Sequence, residues 1–137
     1  MRKVRVALGK ESYDIVIGHG LEEELQAFVR QAGFSRQAML VTDSNVGPLY
    51  GENVRAILEA GGLSVTVVTI PAGESSKSLA VAEKLYTRAI ELGLDRKSPI
   101  FALGGGVVGD LAGFIAATYM RGVPFVQLPT SLLAQVD

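Results

Sequence analysis

Residues 99–110 read PIFALGGGVVGD, an apolar segment that runs directly into three consecutive glycines, with a fourth at residue 109. The apolar residues predict a buried strand over 99–103, and the residues after the glycines can continue as a helix. Glycine has no Cβ to block a close approach, and a helix N-terminus offers unpaired N–H groups to an anion. Gly104, Gly106 and Gly109 fit the pattern G-x-G-x-x-G. The stretch therefore predicts a phosphate-binding turn between a strand and a helix.

The alternation of strand and helix extends along the whole chain. Periodicity and turn residues predict strands at 3–8, 13–17, 38–42, 63–70, 99–103 and 124–128. They predict helices over 21–32, from a cap at Asp43 or Ser44 to Gly61, over 79–90, and after the glycine run. This order predicts an α/β fold with a Rossmann-like, mostly parallel sheet covered by helices on both faces. In such sheets the ligand lies beyond the carboxyl ends of the strands.

The bulk composition narrows the class of protein. The chain has 137 residues, a formal net charge of −1, no cysteine and one histidine. The small net charge gives no reason to expect nucleic acid, and the longest apolar run, 111–120, is too short for a membrane span. We therefore expect a cytoplasmic protein that binds neither nucleic acid nor a membrane. The lack of cysteine excludes disulfides and thiolate metal sites, and one histidine cannot build a histidine-rich metal site.

The C-terminal residues predict a helix that begins at Thr130 or Ser131 and is still apolar at Asp137. We expect the chain to be the front part of a longer protein, a single α/β domain over 1–137.

Polar or small residues follow each predicted strand of the parallel sheet. They are Asp43 and Asn45, Glu74 and Lys77, the run from Gly104 to Asp110, and Thr130 onward. This convergence predicts a nucleotide site at one edge of the sheet. The usual dinucleotide fingerprint sits at the first strand and has an acid about 20 residues later. Here the run lies late and no acid follows at that distance, so Asp43 is the better candidate for a ribose.

Five segments closely resemble the 3-dehydroquinate synthase family. They are TDSNV at 42–46, PAGESSKS at 71–78, GGGVVGDLAGF at 104–114, ATYMRG at 117–122 and QLPTSLLAQVD at 127–137. The resemblance covers essentially the whole chain, and its most specific part is 104–137. It implies the NAD-binding half of a two-domain enzyme of the shikimate pathway. That enzyme converts 3-deoxy-D-arabino-heptulosonate 7-phosphate to 3-dehydroquinate and phosphate with NAD and a divalent metal, zinc or cobalt.

The same resemblance implies roles for individual residues. Asp43 and Asn45 would hold the adenosine side of NAD, and Glu74 and Lys77 would contact the cofactor as well. The pyrophosphate would lie along Gly105, Gly106 and Val107 with Asp110 nearby, and the nicotinamide end would meet Thr130, Ser131 and Leu133.

For the sugar-acid phosphate substrate, the resemblance implies contacts from Arg121 and Asp137. In this family the arginine can reach the site of a neighbouring subunit, and the full-length protein is expected to be a homodimer. The metal ligands of the family, a glutamate and two histidines, would lie beyond residue 137, so we expect this chain to be inactive alone.

Three alternatives remain open on the sequence. Another sugar phosphate cyclase, such as 2-deoxy-scyllo-inosose synthase, would share the glycine run. A metal-dependent glycerol or alcohol dehydrogenase would share the NAD half. A nucleotide-binding domain without chemistry would also fit the fold.

Overall fold

A computed structural model describes residues 2–6, 13–17 and 22–129 of the chain, with side chains from 22 to 129. An antiparallel hairpin joins β1 (Arg2–Val6) to β2 (Tyr13–Ile17). The remaining strands are β3 (Gln37–Asp43), β4 (Ser64–Ile70), β5 (Ile100–Gly104) and β6 (Phe125–Pro129). The helices are α1 (Glu22–Gln31), α2 (Glu52–Ala60), α3 (Leu79–Glu91) and α4 (Gly106–Thr118).

The four later strands form one parallel sheet in the order β4-β3-β5-β6. Strand β3 lies in its interior, and residues 38–42 are all buried. Such a continuous apolar strand is typical of a sheet that is covered on both faces. The α/β prediction is confirmed, and the sheet is parallel throughout these four strands.

Alternate residues of the central strands enter two separate cores. Leu40 and Phe101 pack with Val29 of α1 and Leu58 of α2 on one face. On the other face, Met39, Val41, Ile100 and Ala102 of the same strands pack against α3 and α4; the helix residues are Ala82, Leu85, Ala89, Val108, Leu111, Ala112, Ile115 and Ala116. The period of two along each strand therefore divides the helices into two layers.

The predicted boundaries agree with the structure to within one residue for β3 to β6, and α3 extends one residue further than predicted. Helix α1 ends at Gln31, and Gly33 follows with a left-handed φ of 74°. The predicted end of the first strand at residue 8, the turn at 9–12 and the helix from Thr130 lie outside the described residues.

One prediction about the second helix is wrong in part. Residues Gly47–Gly51 form a π-helical turn, with Pro48 at its start, and the α-helix begins only at Glu52. The reason lies in close packing of the turn against the sheet: a Cβ at Gly47 would come within 3.0 Å of Cγ2 of the buried Thr42. In the part of the chain that the structure describes, no helix is long and apolar enough to cross a membrane.

Candidate functional site

A crevice is expected where neighbouring strands send their connections to opposite faces of the sheet. Strands β3 and β5 are hydrogen-bonded neighbours. The chain leaves β3 through α2 on one face towards β4, and leaves β5 through α4 on the other face towards β6. The switch point therefore lies between the loop after Asp43 and the turn after Gly104.

The glycine turn opens α4 without a side-chain cap. Gly105 is the N-cap residue and has extended backbone angles, and no side chain in the described residues accepts its helix N–H groups. The amide of Gly109 bonds to the carbonyl of Gly105 at 3.1 Å, which is the first helical hydrogen bond. The amides before it are at the position where a helix N-terminus binds an anion.

Two glycines of this turn have different reasons to be glycine. A Cβ on Gly104 would lie 2.9 Å from Cγ2 of the buried Val108, so the turn packs too tightly against its own helix for a side chain. A Cβ on Gly106 would meet nothing within 4 Å. Gly104 is therefore required for packing, whereas the space beside Gly106 is open to a ligand.

Asp43 ends β3 and caps the loop that follows it. Its Oδ1 accepts hydrogen bonds from the amides of Asn45 at 2.9 Å and Val46 at 2.8 Å. The prediction that Asp43 or Ser44 caps the next helix is wrong: the N-cap residues of the π-helical turn and of α2 are Val46 and Gly51, and neither helix start has a side-chain cap. Asp43 instead closes the turn before them, because its carboxylate lies close to the first amides after its own strand. No residue that the structure describes hydrogen-bonds its Oδ2, which is therefore available to a ribose hydroxyl.

Sequence reasoning assigned no role to Thr42 and considered Ser44 only as a helix cap, but both join the loops of this edge. The hydroxyl of the fully buried Thr42 donates to the carbonyl of Leu103 at 2.7 Å and so connects β3 to β5 beneath the crevice. Oγ of Ser44 accepts from the amide of Ala72 at 2.9 Å and connects the loops after β3 and β4. Their position next to Asp43 at a strand end is the signal that could have found them.

The loop after β4 reaches α4, just beyond its first turn, through an ion pair. Nζ of Lys77 lies 2.9 Å from Oδ2 of Asp110, and both side chains are about half exposed. Glu74 begins a short 3₁₀ turn after Gly73 and is exposed. Exposed pairs of this kind add no more than about 1 kcal/mol to stability, so we read it chiefly as a contact that draws two candidate cofactor residues together.

Arg121 lies at the opposite edge of the sheet. It follows α4, whose 13 residues lead from the end of β5 to the start of β6, a length of about 20 Å at 1.5 Å per residue. Met120 and Arg121 both have positive φ, 50° and 67°, which costs roughly 1–2 kcal/mol per residue for L-amino acids. Arg121 is thus separated from the crevice formed by its own chain.

The remaining predicted residues cannot be compared with the structure. Thr130, Ser131, Leu133 and Asp137 lie outside the described residues. Within the described residues, no group of three or more His, Asp or Glu side chains could hold a metal ion. The donor set for a metal is therefore not among the residues that the structure describes, while the glycine turn and Asp43 fit a nucleotide.

Known proteins resemble both the sequence and the fold. Residues 67–137 match the family model of the 3-dehydroquinate synthase N-terminal region. A 3-dehydroquinate synthase of Symbiobacterium thermophilum is 59% identical over 95% of this chain and 37% of its own length. One from Desulforamulus reducens is 50% identical over the whole chain and 38% of its own length.

A solved 2-deoxy-scyllo-inosose synthase, complexed with carbaglucose-6-phosphate, NAD+ and Co2+, aligns with a TM-score of 0.88 and 25% identity. The alignment covers 97% of this chain and 36% of that protein. The chain spans less than two fifths of the length of these relatives. With more than half of its residues inside the family model and half or more identical to curated members, the chain belongs to the 3-dehydroquinate synthase family.

Proposed function

We propose that this chain is the NAD-binding part of a 3-dehydroquinate synthase. The full-length protein would convert 3-deoxy-D-arabino-heptulosonate 7-phosphate to 3-dehydroquinate and phosphate, as a cytoplasmic enzyme of the shikimate pathway. The observation that carries the proposal is the crevice between Asp43 and the uncapped glycine turn of α4, in a chain 59% identical to a named synthase.

The described residues support NAD as the cofactor. The open space beside Gly106 and the free amides at the start of α4 suit a pyrophosphate. Asp43 is held rigidly by Asn45 and Val46 through one oxygen, so its other oxygen can accept from a ribose. Lys77 and Asp110 border the same turn, and their ion pair would be adjusted when an anionic ligand arrives. NAD supplies reversible removal of a hydride from a substrate alcohol; the chain's residues supply its orientation.

The metal belongs to this proposal only through the family. A related cyclase was solved with Co2+, and we propose zinc or cobalt for the full-length protein. The described residues offer no ligand set, so no role in metal chemistry is assigned to them.

The first experiment measures phosphate release by the full-length protein with NAD and zinc. We expect release from 3-deoxy-D-arabino-heptulosonate 7-phosphate and none from glucose 6-phosphate. Release from glucose 6-phosphate would favour an inosose synthase, to which the fold is similar. Oxidation of glycerol without phosphate release would favour a dehydrogenase. NAD binding with neither reaction would leave only a binding domain.

We also propose that Arg121 serves the site of a second copy in a homodimer. It is exposed, and its place at the far edge of the sheet separates it from its own crevice by the length of α4. Arg36, Arg96 and Lys97 lie at the same edge. This concentration of positive charge suits a substrate that carries a carboxylate and a phosphate, and the guanidinium can bind either with two hydrogen bonds.

Mixing two strongly impaired variants tests this arrangement. Arg121→Ala leaves the cofactor crevice intact, and Gly106→Asp places a carboxylate where the pyrophosphate would bind. If Arg121 acts across the dimer, a mixed dimer contains one complete site and phosphate release returns on subunit exchange. Each variant alone should show only weak residual release. Failure of the mixture to recover, with exchange verified by mass spectrometry, would contradict the proposal.

A further inference from the structure

The turn that carries Arg121 has an unusual backbone for its sequence. Met120 and Arg121 are consecutive non-glycine residues with left-handed φ values of 50° and 67°. Such conformations persist when surrounding contacts fix them, and they cluster where strain serves function. Gly122, which follows, also has positive φ. Contacts with neighbouring parts of the chain hold the two strained residues in place.

The loop between α3 and β5 holds this turn from the side. The phenol hydroxyl of Tyr119 donates to the carbonyl of Leu94 at 2.8 Å. A longer contact of 3.4 Å joins Nε of Arg96 to the carbonyl of Met120. Burial and the charge of Asp95 raise the pKa of Tyr119, so the phenol keeps the proton that it donates.

Backbone hydrogen bonds close the turn independently of the phenol. The amide of Gly122 bonds to the carbonyl of Tyr119, and that of Val123 bonds to the carbonyl of Ala116, both at 2.8 Å. The Tyr119 hydroxyl therefore adds a contact that fixes the closed turn against a neighbouring loop. Removal of the hydroxyl should therefore shift the turn relative to the neighbouring loop, while the backbone hydrogen bonds keep the turn closed.

We propose that Tyr119 is a positioning residue for substrate binding: its bond to Leu94 fixes the strained turn that presents Arg121 to the substrate anion. This inference rests on the proposed role of Arg121 at the site of a second copy. Tyr119 itself touches the loop after α3 and acts only through the arginine.

The test is Tyr119→Phe in the full-length protein, with Tyr86→Phe as the matched control. The control substitution also removes a phenol hydroxyl that is hydrogen-bonded to α4, since the hydroxyl of Tyr86 pairs with that of Thr118. We expect Tyr119→Phe to raise KM for 3-deoxy-D-arabino-heptulosonate 7-phosphate about tenfold, since misplacement of a binding group by about 1 Å can cost up to a hundredfold. Its Kd for NAD and its Tm should match those of Tyr86→Phe.

A double variant separates positioning from general destabilisation. In an Arg121→Ala background, Tyr119→Phe should change KM by less than about twofold, because the group through which it acts is gone. An equal KM increase in both backgrounds, or an unchanged KM in the single variant, would overturn the inference. Normal KM in Arg121→Ala itself would remove both this inference and the proposed role of Arg121. A raised KM in Arg121→Ala together with an unchanged KM in Tyr119→Phe would overturn only the inference about Tyr119.

Discussion

The two edges of the parallel sheet differ in charge. The loops at the carboxyl ends of the strands carry Asp43, Glu74, Lys77 and Asp110. The loops at the opposite edge carry Arg36, Asp95, Arg96, Lys97 and Arg121. The first edge is mainly acidic, and the groups that it offers to an anion are the uncapped backbone amides at the start of α4, whereas the second edge offers cationic side chains.

The edges also differ in how their shape is determined. At the first edge, Gly104 is dictated locally, because a Cβ there would collide with Val108. At the second edge, the left-handed residues are Met120 and Arg121, which do not favour that conformation by themselves. Contacts from a loop about 25 residues earlier in the chain hold them. The glycine turn of the first edge is thus dictated by residue type, whereas the strained turn of the second edge depends on tertiary contacts.

The largest stability effect expected at the first edge is that of Gly104→Ala. The added Cβ would lie 2.9 Å from Val108, which is almost completely buried and cannot move freely. We expect the free energy of unfolding to fall by about 1–3 kcal/mol, together with weaker NAD binding because the turn must shift. Urea denaturation and calorimetric titration with NAD measure the two effects.

Gly106→Ala is the matched control for this variant. Its Cβ would meet nothing within 4 Å, so we expect no loss of stability and a weaker affinity for NAD. Equal losses of stability in both variants would contradict the distinction between a packing glycine and a ligand-facing glycine.

The sequence predicts the first edge far better than the second. Apolar periodicity located β3 to β6 closely, and the glycine run located the start of α4, because these signals act over a few residues. The turn that Asp43 closes is also local, although the sequence predicted a helix cap there. The bonds from Thr42 to Leu103 and from Tyr119 to Leu94 join residues far apart in the chain. No local pattern encodes such contacts, and the same is true of the strained backbone at Met120.

A smaller effect is expected at Asp43, where capping and ligand binding are combined in one side chain. Asp43→Ala removes two hydrogen bonds from the loop amides and should lower the free energy of unfolding by about 1 kcal/mol. Asp43→Asn keeps an oxygen for the cap but removes the charge that would accept from ribose hydroxyls. We therefore expect both variants to bind NAD more weakly, with turnover at saturating NAD changed less.

Thermal unfolding without ligand distinguishes the two contributions of Asp43. The asparagine variant should remain close to the native Tm, whereas the alanine variant should not. Unchanged NAD affinity in both variants would remove Asp43 from the cofactor site while leaving its capping role.

The smallest effect is expected at the opposite edge, where Asp95 should influence stability but not NAD binding. The Ser35 hydroxyl donates to its Oδ1 at 2.6 Å, and the Lys97 amide donates at 2.8 Å. The bond from Ser35 contributes most to holding the pKa of Asp95 below its usual 3.8, and the bond from Lys97 adds to this effect. Because the folded-state pKa is lower than the unfolded one, the stabilisation is present above 3.8 and is lost as the pH falls through the folded-state value.

Ser35→Ala should therefore lower Tm at neutral pH by a small amount, and the difference from the native protein should shrink in acid. The same substitution in an Asp95→Asn background should have a Tm effect that does not vary over this pH range. NAD affinity should stay constant in all three variants, since the cluster lies at the edge away from the crevice. A change in NAD affinity here would show that the two edges are coupled, against the separation that the sheet predicts.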